Sequence, residues 1–278
     1  MSSSEQKGAV VLWGYFWLYI LFLYLPILLL ALFSFQASDA LAFPWQGFSL
    51  HWYHAMWDTP GLLDSLWRSL LVALITTIVA VSLGGAAGAA VTRFRFRGRA
   101  LLLILGLIPL IIPPLGLGVA LLIAFVTVGI KPSLLTVVVG HSIIAMPYVI
   151  LLVGTRLAGM DPSLEEAAMD LGASWHRILR RVYLPFLGPA LITSCVAAFQ
   201  VSFDEFYLAF FLTGFHPTLP VYFFSGLRRS ELLPPAVALT TLVTFVSIIL
   251  LLSVQTWVVW REGGFERRGG PRTEPVLP

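Results

Sequence analysis

Long stretches without a charged residue constrain this 278-residue chain more than any other feature. Asp, Glu, Lys and Arg are absent from six of them: 8–38, 69–92, 101–130, 132–155, 182–203 and 232–260. Each stretch is at least as long as the ~20 apolar residues that a helix needs to cross a bilayer core. Because backbone amides in lipid must bond within their own segment, the stretches predict membrane-spanning helices.

The composition excludes the usual soluble classes of protein. Only 11% of the residues are charged and 58% are apolar, whereas a soluble domain has roughly 25% charged residues. An ordinary soluble enzyme, a disordered protein and a nucleic-acid-binding module are therefore excluded. The single cysteine, Cys195, allows no intrachain disulfide, and we expect its small side chain to be buried in its apolar run.

The sequence predicts an all-α membrane protein with six transmembrane helices. They lie at approximately 9–33, 69–91, 101–128, 134–155, 186–212 and 235–259. Together they make one transmembrane domain, 9–260, which follows a short N-terminal segment, 1–8. The remaining residues, 261–278, are rich in glycine and proline and predict a disordered tail.

The positive charges predict how the chain is oriented in the membrane. Of the 17 Lys and Arg residues, 13 fall on one alternate set of flanks, formed by the N-terminus, the loops 92–100 and 156–185, and the C-terminal tail. Cytoplasmic flanks hold the excess of positive charge in membrane proteins. We therefore expect both termini to be cytoplasmic. The arginines of the loop 92–100, Arg93 and Arg95 among them, are interpreted as a topology signal held at anionic lipid.

The stretch 206–227 is also uncharged and could suggest a seventh membrane span. Gly214, Pro217 and Pro220 interrupt it, and a seventh crossing would place the Arg-rich tail on the outer side. We therefore predict a short re-entrant or surface segment on the outer side of the membrane.

One cytoplasmic segment, Asp161–Pro185, differs from the rest of the chain because it is long and polar. Asp161 is a good N-cap, and Pro162 fits the first helical position. Gly172 ends this helix by adopting a positive φ, and Ser174 begins another. A helix–glycine–helix unit on this face predicts a docking surface for a partner, and the alternative is an amphipathic loop lying on the membrane.

The same segment resembles the EAA signature of ABC importer permeases, which reads EAA, three residues, G, nine residues, then I-x-L-P. The chain matches it from Glu166-Ala167-Ala168 through Gly172 to Val182-Tyr183-Leu184-Pro185, with Val in place of Ile. The resemblance implies a type I (MetI-like) permease fold in which this loop, here called the coupling segment, fits a groove of an ATPase subunit. It implies that the ATPase contacts are made by Glu166, Ala167, Ala168, Gly172, Leu184 and Pro185.

Other motifs narrow the resemblance to the second permease subunit of spermidine/putrescine importers. They are Pro44-Trp45-Gln46-Gly47-Phe48, Trp52-Tyr53, Arg93–Gly98 and Val201-Ser202-Phe203-Asp204-Glu205. The resemblance implies a polyamine substrate and a bacterial inner-membrane location. It also implies three kinds of partner: a second permease subunit, two cytoplasmic ATPase subunits and a periplasmic substrate-binding protein.

ATP hydrolysis is not expected of this chain itself. A phosphate-binding P-loop needs Gly-Lys-Ser/Thr, but Lys7 is followed by Gly8 and Lys131 by Pro132. We expect no catalytic residue and no cofactor here, with Mg-ATP bound by the partner ATPase subunits.

Four residues are candidates for the substrate pathway: Asp204, Glu205, Ser202 and Trp45. Carboxylates within a membrane segment are costly, so Asp204 and Glu205 should face a pathway or a partner, and a cationic substrate would offset their charge. Ser202 adds a hydroxyl ligand, and the Trp45 ring suits an ammonium group or the membrane interface. The alternative places both carboxylates at the outer helix end, solvated or paired with arginines: Arg68, Arg228 or Arg229.

The third helix departs from the polyamine pattern. The family pattern has an acidic residue there, whereas Ile112-Pro113-Pro114-Leu115 has none, so a permease for another small solute stays an alternative. Pro113 and Pro114, together with Pro109, predict a kink or an interruption of this helix.

Two further classes of function explain less of the sequence. A stand-alone secondary transporter would use Asp204 and Glu205 as a proton or cation relay, but it leaves the EAA-like loop unexplained. An intramembrane serine protease needs a nucleophile–base pair, and the neighbours His141 and Ser142 diverge on a helix. No metal site is expected.

Overall fold

The computed structural model of the chain describes residues 3–39, 41–227 and 230–269, with side chains described for 12–39, 41–227 and 231–257. These residues form helices and connecting loops, with an isolated antiparallel bridge between Gln36 and Phe48. The α-helices are α1 (Ser3–Phe33), α2 (His51–Asp58), α3 (Leu62–Arg93), α4 (Arg99–Leu107), α5 (Pro114–Thr127), α6 (Leu134–Ala158), α7 (Ser163–Asp170), α8 (Trp175–Ile178), α9 (Leu184–Phe203), α10 (Tyr207–Leu212), α11 (Leu219–Gly226) and α12 (Leu233–Gly269).

In the described part of the chain, five helical runs are long and apolar enough to cross a membrane. They are Leu12–Phe33, Leu62–Arg93, Leu134–Ala158, Trp175–Phe203 and Leu233–Trp257. The predicted third span is a bent pair, Arg99–Leu110 and Pro114–Thr127, whose axes differ by 110°. Counting this pair as one span gives the six that the sequence predicts.

The prolines account for the break in the third span. Pro109 lies in a 3-10 turn, Ile108–Leu110, and Pro113 and Pro114 stand at the start of α5. Proline cannot donate a backbone hydrogen bond inside a helix but fits its first position, so the chain can turn here and start a new helix. The predicted interruption is confirmed.

The predicted fifth span, 186–212, is wrong at both ends. The helical run starts at Trp175, passes through a π-helical turn, Leu179–Tyr183, and ends at Phe203. The chain breaks at 204–206 before α10 starts, so Asp204 and Glu205 lie outside the helix body. The Glu205 carboxylate accepts the Leu208 N–H, one of the donors that the first turn of α10 leaves without a partner in the helix.

The described residues divide into two compact units. The first comprises the chain up to Leu63 together with Phe223–Ile248. Within it, the loop after α1 packs on α2. The Trp52 indole donates to the Gln36 backbone oxygen at 2.8 Å, and the Tyr53 and Ser34 hydroxyls lie 2.8 Å apart.

The second unit comprises residues 64–222 and the described chain after Ile248. Its described side chains form two buried apolar clusters along α6, one with α9 and the run before it, the other with α10. Gly88 lets α3 and α6 approach closely, because a Cβ at this position would lie 2.9 Å from the Ile150 oxygen. The coupling segment and the break after α9 both belong to this second unit.

The α9 helix also corrects the expectation for the single cysteine. Buried positions on α9 recur every four residues, at Ala190, Ser194, Ala198 and Ser202. Cys195 lies outside this stripe and is exposed rather than buried. The apolar run alone did not distinguish the packed face of the helix from its other side.

The stretch 206–227 contains two short helices, α10 and α11, and neither is long enough to span a membrane. Gly214 lies in the turn between them with φ +65°, whereas Pro220 falls in the first turn of α11. After the last span, α12 continues to Gly269 and so enters the segment 261–278 that the sequence predicts to be a disordered tail. Residues 270–278 lie outside the described residues.

Candidate functional site

The coupling segment, Asp161–Pro185, has the local structure that its sequence predicts. Asp161 Oδ1 accepts the Ser163 backbone N–H at 2.9 Å at the start of α7, and this bond holds the pKa of Asp161 below its usual value. Gly172 has φ +70° after α7 and turns the chain before α8. The helix after the turn is not separate, because α8 continues through the π-helical turn into α9.

The side chains that the EAA resemblance assigns to the ATPase contact lie on the surface of the chain. Glu166, Ala167, Gly172, Leu184 and Pro185 are exposed, while Ala168 is partly buried. A Cβ built at Gly172 would have no neighbouring atom within 4 Å among the residues that the structure describes. Apolar groups beside them are also exposed: Leu164, Met169, Leu171 and Trp175. Large apolar side chains exposed close together in the sequence are consistent with a protein–protein contact.

A partly buried polar cluster, which sequence reasoning missed, connects α7 to the membrane helices. The Tyr183 hydroxyl donates to Glu165 Oε2 at 2.5 Å, and Arg93 Nε lies 3.9 Å from the same oxygen. Arg93 was interpreted only as a topology signal, and Glu165 was not separated from its exposed neighbour Glu166. The partners are far apart in the chain, so no local motif could have identified them.

Three of the four predicted pathway residues come together at the break after α9. Ser202 is buried, and its hydroxyl lies 2.9 Å from His141 Nδ1 on α6. Asp204 is exposed and accepts a hydrogen bond from the Gln200 side chain. Glu205 Oε1 accepts the Leu208 N–H at 3.1 Å in the first turn of α10. Glu205 therefore also satisfies a backbone donor at the start of α10.

The alternative pairing of these carboxylates with arginines is not observed for Arg68. Its guanidinium lies 3.8 Å from Asp64 and donates to the Pro217 oxygen at 3.4 Å. Arg228 and Arg229 lie outside the described residues. Trp45, the fourth predicted residue, lies in the loop between α1 and α2 in the first unit, and 36% of its surface is exposed.

The all-helical fold, the bent third span and the exposed coupling segment define a multi-pass membrane transport component. A family model described as "Binding-protein-dependent transport system inner membrane component" matches residues 80–262. The chain belongs to this family. It is the transmembrane permease subunit of an ABC importer and a transport protein of the inner membrane.

Curated relatives match nearly the whole chain. It is 32% identical to the spermidine/putrescine transport system permease protein PotC of Haemophilus influenzae over 235 residues, covering 84% of this chain and 91% of that protein. It is 34% identical to the putrescine transport system permease protein PotI of Escherichia coli strain K12, covering 80% and 81%.

A solved structure has the same fold. It belongs to a bacterial ABC transporter involved in the import of the acidic polysaccharide alginate. The match has a TM-score of 0.72 at 17% identity and covers 92% of this chain and 98% of that chain. At this identity, the likeness bears on the fold alone. It agrees with the predicted type I permease architecture.

Proposed function

We propose that this chain is one of two different permease subunits of an ATP-driven importer for polyamines. The observation that supports a polyamine substrate is the similarity to PotC and PotI over at least four fifths of the chain. Substrate would first be selected by a periplasmic binding protein, as the family description implies. Two cytoplasmic ATPase subunits would bind Mg-ATP and drive the transport.

The proposed substrate pathway uses the carboxylates at the break after α9. Asp204 and Glu205 offer negative charge to the ammonium groups of a polyamine, and the Ser202 hydroxyl offers a hydrogen bond. Within the described residues, neither carboxylate forms an ion pair with Lys or Arg. This supports a cationic substrate as the partner that offsets their charge, with Arg228 and Arg229 outside the described residues. Trp45, in the first unit, is proposed separately, because its ring offers the kind of aromatic face that attracts ammonium groups.

The proposed transport cycle is alternating access driven through the coupling segment. The exposed face of α7 and Gly172 would fit the groove of one ATPase subunit, with both termini of this chain on the same, cytoplasmic side. The loaded binding protein would dock on the outer side while ATP binding closes the ATPase pair. Movement of α7 would then open the pathway outward, and hydrolysis would reset it.

A second candidate is an importer permease for another small solute. The supporting observation is the bend of the third span, where Ile111–Pro113 and the flanking residues include no acidic side chain. The pattern of the polyamine permeases has an acidic residue in this helix. Without it, this chain would have fewer carboxylates than that pattern with which to bind a cationic substrate.

Uptake of labelled putrescine and spermidine separates these candidates. Cells should lack this chain and any other polyamine importer, and should then re-express it together with its partners. We expect uptake of at least one polyamine to be lost on deletion and restored on re-expression. Unchanged uptake in both states would reject the polyamine substrate, and the family's importer activity would then be sought with other small solutes.

A further inference from the structure

Three elements of the second unit meet at one partly buried polar cluster. Arg93 is the last residue of α3, Glu165 lies in the first turn of α7, and Tyr183 ends the π-helical turn before α9. Glu165 Oε2 accepts the Tyr183 hydroxyl at 2.5 Å and lies 3.9 Å from Arg93 Nε. One carboxylate of α7 therefore contacts the ends of two membrane helices.

Burial distinguishes this cluster from a surface ion pair. The exposed fraction of the side chain is 14% for Arg93 and 20% for Glu165. The guanidinium donates to the Met160 oxygen at 3.4 Å and lies 5.7 Å from the centre of the Tyr183 ring. A charge largely removed from water is costly unless it is paired, so losing one member of the cluster leaves the others unsatisfied.

Aromatic rings reinforce the same junction. Phe94, which follows Arg93, packs edge-on against Trp175 with ring centres 5.8 Å apart. Trp175 in turn lies 5.7 Å from Tyr183. The start of the run Trp175–Phe203 is thus fixed to the end of α3 by both polar and aromatic contacts.

The backbone connections of α7 are poorly suited to transmit a displacement. After α7, the chain passes through Gly172 at a positive φ, and before α7 it passes through Gly159 to Pro162 without helix. The chain is not helical at either turn, so side-chain contacts connect α7 to the spans, and Ala168 packs against the apolar cluster of α6 and α9. The Glu165 carboxylate is a link that bypasses both turns.

We infer that Arg93, Glu165 and Tyr183 form an internal joint that passes the movement of α7 to α3 and to the run Trp175–Phe203. This inference rests on the proposed docking of the coupling segment on an ATPase. Arg93 then has a role that its neighbours lack: Arg95 and Arg97 are exposed in the same loop. These three residues are positioning residues, since none of them is placed on the substrate pathway.

The test compares variants in the complete importer, expressed in cells with its partner subunits. We expect Arg93→Ala and Tyr183→Phe each to reduce uptake by at least about tenfold, as expected when a buried group loses a hydrogen bond or ion pair to a charged partner. ATP hydrolysis by the purified complex should no longer rise when loaded binding protein is added. Arg95→Ala removes the same charge from the same loop and should stay within about twofold of the parent.

A charge exchange separates a joint from a merely structural contact. The double variant Arg93→Glu with Glu165→Arg should recover at least part of the uptake that either single variant loses. The amount of chain in the membrane and of co-purified ATPase is measured for every variant. If Arg93→Ala fails to accumulate, Tyr183→Phe still tests the joint, because it keeps the ring contacts and removes only the hydroxyl.

The outcomes distinguish this joint from the proposed coupling role itself. Normal uptake and normal ATPase stimulation in Arg93→Ala or Tyr183→Phe would overturn the joint, and so would a double variant no better than the single ones. In both cases Gly172→Asp serves as the reference. If it still abolishes uptake, only the joint is rejected, whereas normal uptake in Gly172→Asp would remove the coupling role of the segment as well.

Discussion

Replacement of Gly172 by Asp is expected to abolish uptake without lowering the amount of the chain in the membrane. Gly172 has φ +70°, a conformation that costs a residue with a side chain about 1–2 kcal/mol. Among the described residues, no neighbouring atom lies within 4 Å of a Cβ at this position, so the side chain starts in open space. The new carboxylate would project into the proposed ATPase groove, where an unpaired charge is costly.

Gly98 provides a matched control for this substitution. It also has a positive φ, +93°, and a Cβ there would likewise meet nothing within 4 Å. Gly98→Asp therefore imposes the same kind of backbone strain in another exposed loop, outside the coupling segment. We expect it to keep uptake within about twofold of the parent. Equal loss in both variants, or normal uptake in Gly172→Asp, would contradict docking through this glycine.

Glu166→Lys reverses a charge on the exposed face of α7. We expect this variant, like Gly172→Asp, to lose uptake while the amount of the chain in the membrane stays normal.

Asp204→Asn is expected to reduce polyamine uptake by at least about thirtyfold, the effect of removing one partner from a charge pair that bound substrate would form and shield from water. Asn keeps an oxygen at the same position, and the Gln200 side chain can rotate its amide to maintain the contact. The break after α9 should therefore persist while the charge offered to the substrate is lost. Uptake of labelled putrescine and spermidine over a range of concentrations measures the effect.

Asp64→Asn is the control for the pathway prediction. Asp64 is 74% exposed on α3, and its contact with Arg68 is a surface ion pair at 3.8 Å. Such pairs contribute about 0–1 kcal/mol, so this variant should transport normally. If Asp204→Asn transports both polyamines as well as Asp64→Asn does, the carboxylate belongs to the structure of the break and not to the substrate pathway.

The features that the sequence predicted well depend on local chemistry. Apolar length located the spans, and prolines located the break in the third. Asp161 marks the start of α7 and Gly172 marks its end. Both could be predicted because a helix cap and a positive φ depend on residues only a few positions apart. The EAA spacing predicted which face of the coupling segment is exposed. The contacts of this face with an ATPase stay a prediction.

The features that the sequence did not predict depend on contacts between distant residues. The apolar stretch after Glu205 looked like a continuation of the fifth helix, but that helix ends at Phe203, and Glu205 accepts the Leu208 N–H at the start of α10. Arg93 looked equivalent to the other arginines of its loop. Only folding brings it to Glu165, and no periodicity or motif encodes a pair so far apart in the chain.

Polyamine accumulation in proteoliposomes that contain the complete importer tests most directly whether this permease works by ATP-driven transport. Loaded binding protein is supplied on one side and ATP on the side of the ATPase subunits, with an ionophore present to collapse ion gradients. We expect accumulation to require ATP and binding protein and to persist with the ionophore. Accumulation that continues without ATP and disappears with the ionophore would contradict ATP-driven import and indicate a secondary transporter.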